Sequence, residues 1–105
     1  MQIYDLLNNA TATGAGPPVK VDHQRCGAGG GPIPMVLTGM INAQVVLEGT
    51  ISSPDEVRLN TATWAPIENA LWTANMADGL FVGFTHIRAN VVSYVAGAIY
   101  FRALV

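Results

Sequence analysis

Apolar and polar residues alternate with a period of two along most of this chain. Met35, Leu37 and Ile41 fall on one face around Gly39. Ala43, Val45, Leu47 and Ile51 share a face, and Gln44, Glu48 and Thr50 share the other with Val46. Successive side chains of a strand point to opposite faces, so this pattern predicts half-buried strands. Val57, Leu59 and Thr61 alternate with Arg58 and Asn60 and predict a strand leading to Trp64, interrupted by Pro66. Leu80, Val82 and Phe84 follow on one face, then Ile87, Ala89, Val91 and Val95 opposite Arg88, Asn90 and Tyr94. In a final strand, Ile99, Phe101, Ala103 and Val105 form one face. Ala98, Tyr100 and Leu104 form the other, broken only by Arg102. Both faces of that strand are largely apolar and ask for cover, from a second sheet or another copy of the chain.

Between these runs lie the breaks. Residues 1 to 10 fit a short helix or a strand anchored by Leu6 and Leu7, ended by Asn8, Asn9 and a segment closing on Gly16-Pro17-Pro18. Paired prolines forbid helix and disfavour an inner strand. Val19, Lys20 and Val21 predict a short edge strand. Cys26 to Pro34 holds four glycines and two prolines in nine residues, which predicts a flexible, turn-rich loop. Ser52-Ser53-Pro54-Asp55 and Asp78-Gly79 are turn signals; residues 67 to 76 are ambiguous, since Ile67, Ala70, Leu71 and Ala74 have helical spacing but a ten-residue helix is marginal without tertiary support. Strands recurring at roughly 8–12 residues with turns between them predict an all-β, antiparallel β-sandwich, immunoglobulin-like or jelly-roll-like. In this reading residues 1–34 form a flexible Gly/Pro-rich arm with its loops, and residues 35–105 the sandwich core, within one domain.

Composition changes the picture in one respect. The 105 residues are 50% hydrophobic and only 11% charged, against a usual charged share of about 25%. So little charge suits a surface covered by partners. No apolar run approaches the ~20 residues of a membrane-spanning helix. The net charge is −2, and Lys20, Arg25, Arg58, Arg88 and Arg102 are scattered, without the clustered footprint of a nucleic-acid binder. The first residues lack a basic and apolar signal segment, which predicts synthesis in the cytoplasm.

Candidate chemistry is sparse. His23 and His86 lack further ligands at metal-binding spacing. Cys26 stands three residues from His23 without a third orienting group. Asp55, Glu56 and Asp78 sit at turn signals, where Asp serves local hydrogen bonding. The glycines from Gly27 to Gly31 have neither a phosphate-loop ending nor a dinucleotide-binding spacing. No cofactor and no catalytic set is expected from these residues. Trp64 and Trp72 fit a core or a subunit interface, or else a sugar-binding platform.

Several segments together carry a resemblance. They are Leu6-Leu7 followed by Ala10-Thr11-Ala12-Thr13-Gly14-Ala15-Gly16, the strand Ala43 to Ile51, Thr63-Trp64, and Ile87-Arg88-Ala89-Asn90-Val91. In this order they resemble the small β-sandwich structural proteins of tailed bacteriophages, of the capsid decoration or cement type. The chain departs from that pattern at Val21 to Pro34, and the Asp-Gly that usually precedes the Thr-Trp is missing. The resemblance implies a homo-oligomer, a trimer, bound to the major capsid protein on the outside of the virion, without direct nucleic-acid or membrane binding. A head or tail fibre, neck or tail component is the alternative within that class, and a carbohydrate-binding module the alternative outside it. The expected interface comprises Pro17, Pro18, Pro32, Ile33, Pro34, Trp64, Trp72, Tyr100, Phe101 and Arg102.

Overall fold

A computed structural model describes residues 3–21, 33–80 and 84–104. Its elements are β1 (Ile3–Ala10), β2 (Gly14–Ala15), β3 (Val19–Lys20), β4 (Ile33–Thr50), α1 (Pro54–Arg58), β5 (Ala65–Trp72), β6 (Met76–Leu80) and β7 (His86–Leu104). All seven strands belong to one antiparallel sheet. β4 and β7 form its spine, paired from Met35/Ala103 to Thr50/His86. β1, β2 and β3 follow one another along the outer edge of β7, and β6 and β5 along the outer edge of β4. Among the described residues no helix is long and apolar enough to cross a membrane.

The alternation predicts four strands where the structure has two. Met35 and Leu37 are buried as expected, but the next buried residue is Met40, and Ile41 is 77% exposed. Burial then resumes at Ala43, Val45 and Leu47. Each step of three shifts the phase by one residue, and the second shift cancels the first. Gly39 causes the slip: its φ is +79°, and a side chain there would overlap the Ala98 carbonyl oxygen. Gly97 stands against it on β7 with φ +123°. On that strand Val95, expected inside, is 68% exposed, and Tyr94, expected outside, packs against the core and donates its hydroxyl to the Gly97 carbonyl.

These slips divide the sheet. The near half holds β1, β6, the start of β4 and the end of β7. The far half holds β2, β3, β5 and the rest of the two long strands. Both halves feed one apolar cluster, which joins Leu6, Leu37 and Phe101 of the near half to Val45, Ile87 and Val91 of the far half. Trp72 of β5 meets Phe101 edge-on, with ring centroids 5.4 Å apart at 75°. Each fully buried aliphatic or aromatic side chain contributes about 1.5–3 kcal/mol. Leu6 and Leu7 are buried in succession because the pairing of β1 with β7 shifts between Asp5 and Leu7.

Other local expectations are corrected. Residues 54–58 are helical, although Val57, Leu59 and Thr61 alternate like a strand. Ser53 caps the helix and Glu56 reaches back to the Ser53 backbone, a reciprocal capping box with Pro54 in the first turn. Residues 65–72, ambiguous by their spacing, are strand, because the free edge of β4 offers a ladder and Pro66 occupies an outer strand that needs no donor there. Asp78 and Gly79 lie inside β6, opposite Met35 and Pro34, with the Asp78 carboxylate accepting from the Gly79 amide. Thr50 is buried and Ile51 exposed, the reverse of the alternation, where β4 ends and the Thr85 amide and hydroxyl donate to the Thr50 carbonyl.

The N-terminal third is not simply an arm. β1 and β3 complete the sheet, and the Gly16 amide donates to the Ala89 carbonyl at 2.7 Å. Of the expected loop from Cys26 to Pro34, Ile33 and Pro34 open β4, and residues 26–32 lie outside the described residues.

Candidate docking face

Odd-numbered residues at the start of β4 and the end of β7 point into the core, so even-numbered ones point out. Val36 lies opposite Arg102, and Thr38 opposite Tyr100, across the central ladder. These four side chains line a shallow concavity of about 400 Å³. Val36 and Tyr100, diagonal across it, supply its exposed apolar surface. Arg102, itself part of the lining, donates from Nε to Asp5 Oδ1 of the neighbouring β1 at 2.9 Å. The Tyr100 hydroxyl points to Asn9 Oδ1 at 3.4 Å. Apolar and polar side chains thus share one open face of the sheet.

The expected interface residues scatter. Tyr100 and Arg102 reach this face, and Pro34 is exposed two residues before Val36 on the same side of β4. Pro17 and Pro18 are exposed on the other flank of β7, between β2 and β3. Phe101 and Ile33 are wholly buried, because the alternation that turns Tyr100 and Pro34 outward turns their neighbours inward. Pro32 lies outside the described residues, as do His23 and Cys26. Val36, Thr38 and Asp5 were not anticipated. Their outward parity is readable in the sequence, but their meeting depends on the pairing of β1, β4 and β7.

The two tryptophans are engaged within the chain. Trp72 packs on Phe101, and Trp64 is half-buried with the Arg88 guanidinium 4.4 Å above its ring. Neither ring stands open as a sugar platform would require. Arg88 Nε also donates to Glu48 Oε1 at 2.7 Å, with the two side chains 22% and 12% exposed. This cluster fastens the outer surface of the far half; on the core side the Phe84 ring lies against Gly49.

The remaining polar groups serve local structure. Asp55 pairs with Arg58 at 3.0 Å on α1, and Glu56 belongs to the capping box. His86 is buried at the start of β7, between Lys20 of β3 and Thr50 of β4, with Nδ1 3.1 Å from the Thr85 hydroxyl. Burial, and secondarily the Lys20 charge, hold its pKa below the ordinary 6.5. Among the described residues no three His, Cys, Asp or Glu side chains converge. Comparisons with protein-family models, curated proteins and solved structures returned no match.

Proposed function

We propose that this chain is a structural protein that works by docking rather than by chemistry, and that it decorates and cements the outer surface of a tailed-phage capsid. The observation that carries the reading is the outward face of the near half. There the exposed Val36 and Tyr100 line an open concavity together with Thr38 and Arg102, over the buried core, with Asp5 paired to Arg102 beside it. The low charged content and the segmental resemblance to phage decoration proteins support the same reading. In it, the sheet folded at Gly39 and Gly97 is a β-sandwich of the immunoglobulin-like or jelly-roll-like kind. The protein is made in the host cytoplasm and ends on the virion exterior, bound to the major capsid protein as a homo-oligomer. Each copy bridges neighbouring shell subunits and opposes their separation. An interface of about 1,600 Å² suffices for specific binding, and several linked copies add avidity. The test is the thermal rupture of purified capsids of the encoding phage, with and without the protein. A higher rupture temperature is expected with it, and identical temperatures would overturn the cement role.

A further inference from the structure

We propose that His86 is an acid-sensitive latch: while it is neutral β3 stays paired on β7, and when it takes up a proton Val19 to Val21 lift off while the spine of β4 and β7 stays folded. The latch acts within one chain and does not depend on what the docking face meets.

His86 closes the last row of the spine, with Thr50 of β4 on one side and Lys20 of β3 on the other. It is 6% exposed, and Thr50 beside it 2%. The neutral ring has a definite tautomer. The Thr85 hydroxyl directs its one hydrogen at the Thr50 and Ser52 carbonyls, at 2.9 and 3.0 Å. Toward His86 Nδ1, 3.1 Å away, that oxygen is left to accept, so Nδ1 carries the hydrogen. The proton taken up in acid therefore goes to Nε2. Among the described residues no carboxylate pairs with the ring. Thr50, Ser52 and Thr85 are neutral. Arg88 and Glu48, two residues along β7 and β4 on the same face, hold each other at 2.7 Å. The charge that meets the ring is Lys20, its direct cross-strand partner. Such partners share a face, and like charges there are destabilising. Burial, and then Lys20, oppose the charged form.

Of the strands that flank His86, β3 is the one that gives way. It holds two residue pairs, Val19/Ile87 and Lys20/His86, extended by the Val21 amide on the Thr85 carbonyl at 2.9 Å. β4, by contrast, pairs with β7 from Met35 to Thr50. Just before β3 the Gly16 amide is tied to the Ala89 carbonyl, which bounds the opening on that side. Opening surrenders the burial of Val19 and Val21, offset by the chain freedom that these residues regain. It gives the imidazolium water and separates it from Lys20. Openings confined to one segment are ordinary in folded proteins. The sign follows from the buried ring. The closed form binds the proton less readily than the opened one, so falling pH below 6.5 shifts the balance toward opening, by up to about tenfold per pH unit.

Amide hydrogen exchange of the full chain, read residue by residue by NMR and corrected for intrinsic exchange, tests the latch between about pH 7.5 and about pH 5.0. Opening at the Val21 amide should rise at least about fivefold, toward a ceiling of ~30-fold, while the amides of the β4–β7 ladder around Leu37 and Phe101 keep their protection. The imidazole nitrogen shifts of His86 should show the Nδ1–H tautomer at neutral pH. His86→Gln should abolish the rise. Lys20→Glu, at an exposed position, sets an anion across from the ring and should reduce the rise at least about twofold. It keeps the test decisive should His86→Gln fold poorly. His23→Gln and Asp22→Asn, at positions outside the described residues, should leave the rise unchanged. No rise at Val21, a loss of protection spread evenly through the ladder, or the Nε2–H tautomer would each overturn the latch. So would a rise that survives His86→Gln, is untouched by Lys20→Glu, or vanishes in His23→Gln or Asp22→Asn.

Discussion

Two arginines of β7 each hold a carboxylate on a neighbouring strand, and they differ chiefly in what covers them. Arg88 and Glu48 lie in the far half beneath the Trp64 ring, at 2.7 Å and mostly shielded from water. Arg102 and Asp5 lie in the near half at 2.9 Å, open to solvent. Geometry is nearly the same, so the environment decides the role. A shielded pair cannot lose one member without leaving a charge stranded in a poor solvent. An exposed pair is screened by water, contributes about 0–1 kcal/mol and is free to exchange partners. One outer surface is thus fastened and the other left available, although the same two long strands build both.

The largest test of this contrast removes the slip that separates the halves. Gly39→Val adds a side chain where φ is +79° and the Ala98 carbonyl stands in the way. A loss of at least about 3 kcal/mol is expected in urea unfolding. A loss below about 1 kcal/mol would show that the slip tolerates a side chain. Next, Arg88→Ala strands Glu48 and uncovers Trp64, and should cost about 2–4 kcal/mol. Loss of the guanidinium should also change the Trp64 fluorescence.

The covered half also sets a pH dependence. Because the folded-state pKa of His86 lies below 6.5, the folded protein binds its proton less readily than the unfolded chain does. Stability from this group is complete above the unfolded pKa and is lost as pH falls through 6.5 toward the lower folded value. His86→Gln should flatten the slope of stability against pH in that interval, and Lys20→Gln should lessen it. An unchanged slope in His86→Gln would assign the pH dependence to other groups. The smallest effect belongs to the open half. Arg102→Ala should cost less than about 1 kcal/mol in the same urea measurement. A cost equal to that of Arg88→Ala would erase the contrast between the two pairs.

Much of the fold is legible in the sequence where burial follows simple alternation. Ala43, Val45 and Leu47, and again Ile99, Phe101 and Ala103, lie in the core as the pattern requires. Gly39 defeats that reading because its two phase shifts cancel. The odd-numbered pattern looks unbroken across it, while Ile41 turns out and Met40 turns in. At α1 the competing signal was present, since Ser53 and Glu56 have capping-box spacing, but the alternation of Val57, Leu59 and Thr61 masked it. The docking face was half legible. Tyr100 and Arg102 stand out in an apolar strand, whereas Val36 and Asp5 join them only through strand pairings between distant parts of the chain.

Those distances impose an order on assembly. Glu48 and Arg88 are 40 residues apart in the chain, and Asp5 and Arg102 are 97 apart. The longer closure costs about 0.8 kcal/mol more in chain entropy, and remote contacts of this kind govern folding speed. Chain entropy therefore favours closing the ladder between β4 and β7 from its Thr50/His86 end, with β1 pairing on β7 afterwards. On that order the face bordered by Asp5 and Arg102 is among the last surfaces to be completed, and a half-folded chain does not yet display it.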